Sequence, residues 1–436
     1  MKDYTSYMIP FKNHLAAWPP HGKPFSTQIF CGILVPMKIL HTADLHLGKT
    51  FHEHPLIEDQ QHMLGQLTRL LVDEGDYQAL IMAGDIYDRA VPSPEAVELF
   101  GSFLSNLRRA LPQLQIIIIS GNHDSARRLS FAADLLRFQQ IHIATTSQDM
   151  LNPILIDDAA IYPLAFLHPN FLGDDEIHQN PMVQAAIHQI LDYHRSHHPQ
   201  LAKLLVAHLF TQGGISSDSE RSFVGTAELV DGALLQQFDY VALGHLHRCQ
   251  NPGGTNIWYS GSPLAYSFSE ADNQQCFLKV ELEPSPDASP QQEGAEGSAS
   301  PFWQLSVTRI PTVPLRAVHR LQGSFQDFYQ DAEGKYAQYR DCYLEISATD
   351  RELTQNPMAL LKPRFPYLLS YRQELATGST SSANMEERRR LIQQEGETGG
   401  PTPEIFTAFM EDIYQQLPPH FDQELALFKR ILEERP

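Results

Sequence analysis

The chain has few cysteines, and they lack the spacings of metal-binding or disulfide-forming cysteines. Four occur in 436 residues, Cys31, Cys249, Cys276 and Cys342, and no two form a Cys-x-x-Cys pair. Zinc ribbons and the disulfide frameworks of secreted proteins depend on closely spaced or paired cysteines. The pattern predicts reduced thiols and a cytoplasmic protein.

Long apolar runs and a leader sequence are also lacking. A membrane-spanning helix needs about 20 apolar residues, and the nearest candidate, residues 29–40, contains Pro36 and Lys38. No basic start precedes an apolar stretch and a small-residue cleavage site, so no secretory signal is expected. We predict no membrane partner.

Positive charge is scarce. The chain has 32 Lys and Arg against 52 Asp and Glu, a net charge of −20. This balance argues against a general nucleic-acid coat protein, which is usually basic. It does not exclude a nuclease, because bound metal cations attract phosphate locally and a partner subunit can supply basic surface.

The regular pattern begins at Met37. Residues 1–36 are rich in proline, histidine and aromatics and show no clear period. We interpret them as a mis-called upstream extension before a natural start at Met37. The alternative is a genuine disordered tail, since disorder concentrates at termini.

Residues 37–280 alternate between short apolar runs and longer amphipathic stretches. Such alternation predicts an α/β domain with buried sheets. The predicted strands are 38–40, 78–82, 115–119, 203–207 and 240–243, and predicted helices include 58–74, 93–111 and 125–139.

Two low-complexity stretches divide the remainder of the chain. Residues 281–303 and 376–402 are rich in Pro, Ser, Glu and Gln, which predicts a disordered loop and a disordered linker. Between them, residues 304–375 are predicted to form a small α+β domain. Its expected elements are strands at 304–310 and 342–347 and a short helix and turn at 323–334.

The last segment, residues 403–436, is predicted to form two amphipathic helices broken at Leu417-Pro418-Pro419. The apolar stripe of such a helix pair needs a surface that covers it. A partner protein and the chain itself are both possible as that surface.

Five short motifs carry metal-ligand side chains, each just after a predicted strand. Sites in α/β proteins lie at the carboxyl edge of the sheet, where distant segments meet. Any one motif alone is ordinary as a capping pair, a core histidine or a turn. The ordered set predicts a two-cation site that hydrolyses phosphate esters. The motifs are Asp44-Leu45-His46, Gly84-Asp85-Ile86-Tyr87-Asp88, Gly121-Asn122-His123-Asp124, Ala207-His208 and Gly244-His245-Leu246-His247.

The ligand types indicate the metal. Aspartate, histidine and asparagine without thiolates favour Mn²⁺, Fe²⁺ or Mg²⁺ over structural zinc. One carboxylate must bridge ions about 4 Å apart, with the activated water between them. Asp85 is the natural bridge, because it lies between the first and third motifs. The expected ligands are Asp44, His46, Asp85 and His247 for one ion, and Asp85, Asn122, His208 and His245 for the other.

His123 has no metal in this arrangement. Its place beside Asn122 suits contact with the scissile phosphate or the leaving oxygen, as general acid or transition-state stabiliser. Either Asp88 or Asp124 would orient it and favour its protonated form. Asp88 is preferred, since it follows the bridging carboxylate by one short turn.

The motifs resemble those of the calcineurin-like metallophosphoesterase superfamily and, within it, the SbcCD-type bacterial nuclease subunits. The resemblance is strong over 37–280 and weaker over 305–372. Besides the first three motifs, it is carried by His208-Leu209-Phe210, Ser219-Glu220-Arg221, Gly244-His245-Leu246-His247-Arg248 and Tyr259-Ser260-Gly261-Ser262-Pro263-Leu264, and more weakly by Arg316, Asp341-Cys342-Tyr343-Leu344 and Phe365-Pro366-Tyr367.

The resemblance implies a four-layer α-β-β-α sandwich with a capping domain that shapes DNA access. It implies an Mn²⁺-dependent exonuclease on double-stranded ends, and an endonuclease on single strands and hairpins, in DNA repair and recombination. It also implies a homodimer through helices at 93–111 and 125–139. An SbcC ATPase with long coiled coils would bind 403–436, in a heterotetramer with two copies of each subunit.

The motifs depart from the family pattern at one position and resemble a second family. Relatives outside bacteria often have histidine where this chain has Asp88. The Gly-Asp-Ile-Tyr-Asp motif also resembles protein Ser/Thr phosphatases, in which an aspartate there orients the motif histidine. Those enzymes usually lack the Ser219-Glu220-Arg221 segment. A different calcineurin-like phosphatase or phosphodiesterase, and a non-catalytic DNA tether for SbcC, are the competing interpretations.

Overall fold

The computed structural model describes residues 36–168, 179–218, 220, 229–285, 303–350, 353–373, 403, 406–407 and 421–433. Residues 1–35 and the predicted linker 376–402 lie outside this part of the chain. So do the predicted break at Leu417-Pro418-Pro419 and most of the loop 281–303. The interpretations placed on them stay predictions.

Strands and helices alternate along most of the described chain. In its first part they are β1 (Met37–Thr42), β2 (Thr50–Phe51), β3 (His54–Pro55), α1 (Ile57–Glu74), β4 (Ala79–Ala83), α2 (Pro94–Ala110), β5 (Gln115–Ile119), α3 (Ala126–Leu129), α4 (Ala133–Arg137), β6 (Ile141–Ala144), β7 (Ile154–Ile156) and β8 (Ala159–Leu164). They continue with α5 (Gln179–His197), β9 (Ala202–His208), β10 (Tyr240–Gly244), β11 (Ile257–Tyr259), β12 (Cys276–Pro284), β13 (Trp303–Pro311), β14 (Val318–Gly323), α6 (Phe325–Gln330), β15 (Tyr343–Ala348), α7 (Pro357–Leu361), β16 (Leu368–Gln373) and α8 (Phe421–Glu433).

Two mixed sheets form the centre of the molecule. The first has the order β13-β12-β1-β4-β5-β6, and the second has the order β11-β10-β9-β8-β7. Strands β1, β4, β5 and β6 run parallel, as do β8 to β11, whereas β7, β12 and β13 are antiparallel additions. Apart from Gln115 at the start of β5, the central strands β4 and β5 consist of buried Ile, Leu, Met and Ala, as strands covered on both faces require.

Helices cover the outer face of each sheet. Ile81 and Ile117 of the first sheet share an apolar layer with Val206 and Tyr240 of the second. Helices α1 and α2 pack on the other face of the first sheet, and α5 packs on the other face of the second. The predicted four-layer α-β-β-α architecture is confirmed.

Local sequence sets the ends of the two long helices on the first sheet. Helix α2 begins after Ser93, whose hydroxyl accepts a hydrogen bond from the Ala96 N–H, with Pro94 at the first helical position. Helix α1 ends at Gly75, which adopts a φ of 69° and donates to the Leu71 carbonyl. Both helices lie where the sequence pattern predicted them.

The single helix predicted at 125–139 is wrong. The chain there forms two short helices, α3 and α4, separated by Ala132 with a φ of 61°. Phe131, Leu135 and Phe138 are 82%, 70% and 81% exposed. Only Leu129 and Leu136 of the apolar residues in this segment pack on the core of the first sheet, too few to hold it as one long helix.

Strand β13 pairs with β12 along its whole length, so it belongs to the first sheet. Residues 281–284, expected to begin a disordered loop, complete strand β12. The pairing therefore favours a small unit that begins after Pro311 rather than at 304. The other expected domain boundaries stay predictions.

The small unit (residues 318–373) has its own sheet and core. Its three strands are parallel, in the order β14-β15-β16, and alternate with α6 and α7. This arrangement is more regular than the expected α+β unit. Phe328, Leu344, Ile346, Leu361 and Phe365 form its buried core.

Of the predicted C-terminal helix pair, the structure describes helix α8 and three residues before it. The Phe428 ring stacks on the Phe406 ring with centroids 4.4 Å apart. Among the described residues, no helix combines the length and apolar character needed to cross a bilayer.

Candidate metal centre

The carboxyl ends of five strands meet at one edge of the two sheets. The loops after β1, β4 and β5 come from the first sheet, and the ends of β9 and β10 come from the second. The His245 N–H donates to both Asp44 oxygens, at 2.9 and 3.1 Å, across the boundary between the sheets. The topology thus brings together the motifs predicted to meet here.

The first ligand group consists of Asp44, His46 and His247. All three side chains are buried, and one ligand atom of each lies within 4.8 Å of the others. The Nε2 atoms of His46 and His247 face each other at 3.1 Å. This is the set predicted for one ion, apart from Asp85.

The second ligand group consists of Asn122, His208 and His245. Asn122 Oδ1 lies 2.9 Å from His208 Nε2 and 3.2 Å from His245 Nδ1. Ligand atoms of Asp44, Asp85 and His208 also lie within 4.8 Å of one another. The set therefore matches the one predicted for the other ion, with Asp44 close to both groups.

Asp85 lies between the two groups. Its Oδ2 atom is 3.7 Å from His46 Nε2 of the first group and 3.5 Å from His208 Nε2 of the second. Its Oδ1 atom accepts a hydrogen bond from the His123 N–H at 2.9 Å. This is the placement that the proposed bridging role requires.

Hydrogen bonds on the outward-facing nitrogens orient two of the histidines. His247 Nδ1 is 3.1 Å from Oε1 of Glu270, a carboxylate with no exposed surface. His208 Nδ1 donates to the Ala83 carbonyl at 2.9 Å. Each contact leaves Nε2 facing the centre, which is the usual way that proteins orient a metal-binding imidazole.

Several positioning residues had not been singled out from the sequence. Glu270 had no motif around it, and only its burial beside His247 marks it. Gln60 donates to the His46 carbonyl at 2.7 Å and accepts from the Gly48 N–H at 2.9 Å. Glu220, noted only as part of a family segment, accepts from the backbone N–H groups of His247 and Ser217.

The backbone of the ligand loops is strained. Asp44, His46 and Asp85 have φ values of 53°, 43° and 50°, and His245 has 108°. Residues with side chains rarely adopt these conformations, which cluster at functional sites. The segment holding His245 and His247 is a bend. The two histidines nevertheless lie in different ligand groups.

Two glycines allow the loops to approach the ligands closely. A Cβ on Gly84, where φ is 93°, would lie 2.2 Å from His208 Nδ1. A Cβ on Gly121 would lie 2.1 Å from Asp85 Oδ1. Glycine is thus required at both positions by the ligand packed against it.

Burial and charge shift the pKa values in the site. Burial raises the pKa of Asp44 to about 7 and lowers that of His245 to about 3. Burial also acts to lower the pKa of His208 and His247, but nearby carboxylates, foremost Asp85 and Glu270 respectively, raise both to about 9. Each ligand group thus contains one histidine stabilised as a cation. A divalent ion would take the place of that positive charge.

The polar atoms of the site also fit metal binding. Among the described residues, buried His46 Nδ1 and His245 Nε2 have no hydrogen-bond partner. When an imidazole is neutral and its other nitrogen holds the proton, the nitrogen that faces a neighbouring ligand atom is an acceptor, and a shared cation satisfies such facing acceptors. Together with the buried carboxylates, this donor set fits divalent metal ions.

His123 lies beside the two groups, with its side chain 15% exposed. Its Nδ1 is 2.9 Å from the main-chain carbonyl of Asp88, and its Nε2 is 3.9 Å from Asp85 Oδ2. The Asp88 carboxylate lies 2.8 Å from Lys49 Nζ and 3.7 Å from His46 Nδ1. Asp88 is therefore adjacent to His123, as predicted. The atom that accepts the hydrogen bond from the His123 ring is the main-chain carbonyl oxygen of Asp88 and not its carboxylate.

Asp124, the other residue considered as a partner of His123, ties loops together. Its carboxylate accepts hydrogen bonds from the N–H groups of Gly121, Ile86 and Tyr87 at 3.0, 3.1 and 3.0 Å. Burial raises its pKa to about 6. This side chain fixes the loop after β4 against the loop after β5.

Comparison with known proteins identifies the family. The calcineurin-like phosphoesterase family model matches residues 37–249, which include all five motifs. The SbcD subunit of the nuclease SbcCD from Staphylococcus saprophyticus is 31% identical over 357 residues, 79% of this chain and 87% of the relative. The protein of the same name from Staphylococcus epidermidis is 31% identical over 360 residues, 81% of this chain and 90% of the relative. The chain belongs to the SbcD family of SbcCD nuclease subunits, within the calcineurin-like phosphoesterases.

Proposed function

We propose that this chain is the nuclease subunit of an SbcCD-type complex and hydrolyses DNA phosphodiesters with two metal ions. The observation that carries the proposal is the pair of ligand groups with Asp85 between them. The named relatives supply the substrate class, since both are nuclease subunits. A rival phosphatase would share the metal centre.

The proposed metal is Mn²⁺, held by the first ligand group, the second ligand group and Asp85. The oxygen and nitrogen ligands without thiolate support this choice, and Mg²⁺ and Fe²⁺ are compatible with the same ligands. When bound, such a pair polarises the phosphate and lowers the pKa of a coordinated water.

His123 is proposed to act on the phosphate itself. A proton on Nδ1, donated to the Asp88 carbonyl, directs Nε2 into the site. When the ring also carries a proton on Nε2, that N–H stabilises charge on the scissile phosphate or protonates the leaving oxygen. The ion pair between Lys49 and Asp88 keeps this loop in place.

Exposed arginines beside the site suit a DNA backbone. Arg89 follows Asp88 and its side chain is 76% exposed. Arg127 and Arg128 lie in α3, and Arg128 donates to the Ala90 carbonyl at 3.0 Å, which places α3 against the Arg89 loop. Local positive charge can therefore meet phosphate despite the net charge of −20.

A matched pair of substrates tests the proposal. The protein is assayed with Mn²⁺ on a linear duplex and on bis(p-nitrophenyl) phosphate, with and without an SbcC-type ATPase. A nuclease releases nucleotides from the duplex, and His123→Ala abolishes that release. Cleavage of the small diester alone under every condition would support the rival phosphatase or phosphodiesterase. Duplex cleavage that His123→Ala leaves unchanged would contradict the assigned role of His123.

A homodimer is proposed through α2, α3 and α4. The exposed side chains of Phe131, Leu135 and Phe138 form an apolar surface that a second copy would cover. Light scattering on Phe131→Ser/Phe138→Ser should then show a monomer. A dimer that survives this change would contradict the assigned interface.

An SbcC-type ATPase is proposed to bind 403–436, in a complex with two copies of each subunit in the cytoplasm. Leu427 on α8 is 49% exposed, which supports an unsatisfied apolar face. Deleting 403–436 should keep basal Mn²⁺ nuclease activity and lose the ATPase on co-purification. Retained co-purification would locate the interface elsewhere.

A further inference from the structure

Two neighbouring residues in the first turn of α1 contact different parts of the molecule. One contacts the small unit, and the other contacts the loop that carries His46. The first is Asp59, which is 2% exposed. Its Oδ2 atom accepts hydrogen bonds from Arg316 at 2.8 Å and from the Tyr343 hydroxyl at 2.7 Å. Arg316 lies two residues before β14, the first strand of the small unit, and Tyr343 begins its central strand β15. Asp59 therefore fastens the small unit to α1.

The second residue is Gln60, which has no exposed surface. Its amide nitrogen donates to the His46 carbonyl at 2.7 Å, and its amide oxygen accepts from the Gly48 N–H at 2.9 Å. The two bonds hold the backbone of this loop at His46 and at Gly48. Gln60 therefore fastens α1 to the first ligand group.

Aromatic rings line the junction between α1 and the small unit. The Arg316 guanidinium lies 4.7 Å from the centre of the Tyr367 ring, and the Tyr343 ring lies 5.9 Å from that of Phe51. Removing one partner of a buried, hydrogen-bonded ion pair strongly destabilises the folded protein. We therefore expect a displacement of the small unit to displace Asp59.

We propose that the first turn of α1 couples the position of the small unit to the position of His46. Asp59, Arg316 and Tyr343 anchor the small unit, and Gln60 is the positioning residue on the metal side. Adjacent residues of one helical turn cannot move independently, so a shift of the anchor reaches Gln60. The inference rests on the proposed function, because it takes His46 as a metal ligand.

The coupling predicts an effect on a substrate that never touches the small unit. A duplex long enough to span both units would sense a loosened small unit directly. A small diester reaches the metal centre alone, so it senses the small unit only through α1. Mn²⁺ affinity is a second readout that needs no substrate.

The test uses the full chain with Gln60→Met, Arg316→Gln, Tyr343→Phe and the double variant Gln60→Met/Arg316→Gln. Glu58→Gln is the matched control, since Glu58 also pairs with Arg316 but its side chain is 72% exposed. Mn²⁺ dissociation constants come from titration calorimetry. The kcat and KM values are measured on bis(p-nitrophenyl) phosphate.

Gln60→Met should weaken Mn²⁺ binding about tenfold, as is usual for loss of a residue that holds a ligand in place. Arg316→Gln and Tyr343→Phe should weaken it in the same direction by a smaller factor, and lower kcat more than they raise KM. The double variant should lose less than the product of the single effects, because both changes break one chain of contacts. Glu58→Gln should match the unmodified protein.

The proposal is overturned if Arg316→Gln and Tyr343→Phe unfold at the normal temperature, bind Mn²⁺ normally and cleave the diester normally. If Arg316→Gln fails to fold, Tyr343→Phe decides, because it removes one hydroxyl group and keeps the ring. A protein that leaves duplex DNA intact, yet shows the expected Mn²⁺ affinities, would refute the proposed function and uphold the coupling.

Discussion

The two ligand groups of the metal centre are held in different ways. In the first group, His247 is oriented by the buried carboxylate of Glu270, and its backbone N–H donates to Glu220. In the second group, His208 is oriented by a main-chain carbonyl, that of Ala83 in β4. Carboxylate side chains therefore orient a histidine of the first group, whereas the backbone of the central sheet orients one of the second.

The difference has an electrostatic consequence. Glu220 and Glu270 add two buried carboxylates on the side of the first group. Buried negative charge attracts a divalent cation far more strongly than exposed charge does. We therefore expect the first group to bind its ion more tightly, and the second group to lose its ion first.

Asp85→Asn should have the largest effect, because it removes the charge that the two groups share. Loss of a residue that merely holds a ligand usually lowers metal affinity or activity by about 10–100-fold, and loss of the shared ligand should exceed that range. Calorimetry with Mn²⁺ and duplex cleavage measure the two effects. Asp73→Asn, an exposed carboxylate on α1, is the control. Near-normal cleavage by Asp85→Asn would refute the bridging role.

Gly84→Ala should damage the second group selectively. The added Cβ would lie 2.2 Å from His208 Nδ1, so the ring must move away from Asn122 and Asp85. We expect the Mn²⁺ stoichiometry to fall from two to one and cleavage to fall about 10–100-fold.

Gly101→Ala in α2 is the matched control for Gly84→Ala, since no atom of the described residues, apart from its chain neighbours and the backbone of its own helix, lies within 4 Å of the added Cβ. If Gly84→Ala kept both ions, the close approach of Gly84 to His208 would not constrain the second group.

The contrast between the groups also shows what the sequence could predict. The ligand types after apolar runs predicted all seven metal-ligand candidates, because a strand end is a local feature and parallel strands share an edge. Glu270 was missed because its role depends on a contact with His247 through folded loops. The positive φ values of Asp44 and Asp85 were also missed, because aspartate tolerates such a backbone conformation without requiring it.

The fold likewise has parts that the sequence predicted and parts that it did not. Strong local periodicity predicted α1 and α2, which bury an apolar face. The helix expected at 125–139 failed, because Phe131, Leu135 and Phe138 have helical spacing but no surface to pack on. Strand β13 was assigned to the small unit because sequence order does not reveal which sheet a strand joins.

Glu270→Gln should damage the first group selectively, with a smaller effect than Gly84→Ala. The variant keeps the size of the side chain and loses the charge that stabilises His247, so the ring keeps a weaker hydrogen bond. We expect the tighter of the two Mn²⁺ dissociation constants to rise about tenfold.

Asp272→Asn is the control for Glu270→Gln, because Asp272 is an exposed carboxylate two residues further along the chain, with a side chain that is 85% exposed. If Glu270→Gln weakened the looser site instead, the assignment of the tighter site to the first group would be wrong.

The stabilisation of the folded state by Mn²⁺ should be the smallest effect. Measuring it compares the two ligand groups without any substrate. An ion at a hundredfold excess over its dissociation constant stabilises the folded state by about 2.7 kcal/mol per site. Thermal unfolding with Mn²⁺ and with chelator should therefore show two such increments in the unmodified chain, one in Gly84→Ala and none in Asp85→Asn. Equal shifts in all three proteins would mean that Mn²⁺ binds outside the two groups. A single increment in the unmodified chain, absent from Glu270→Gln, would mean that only the first group is formed before substrate arrives.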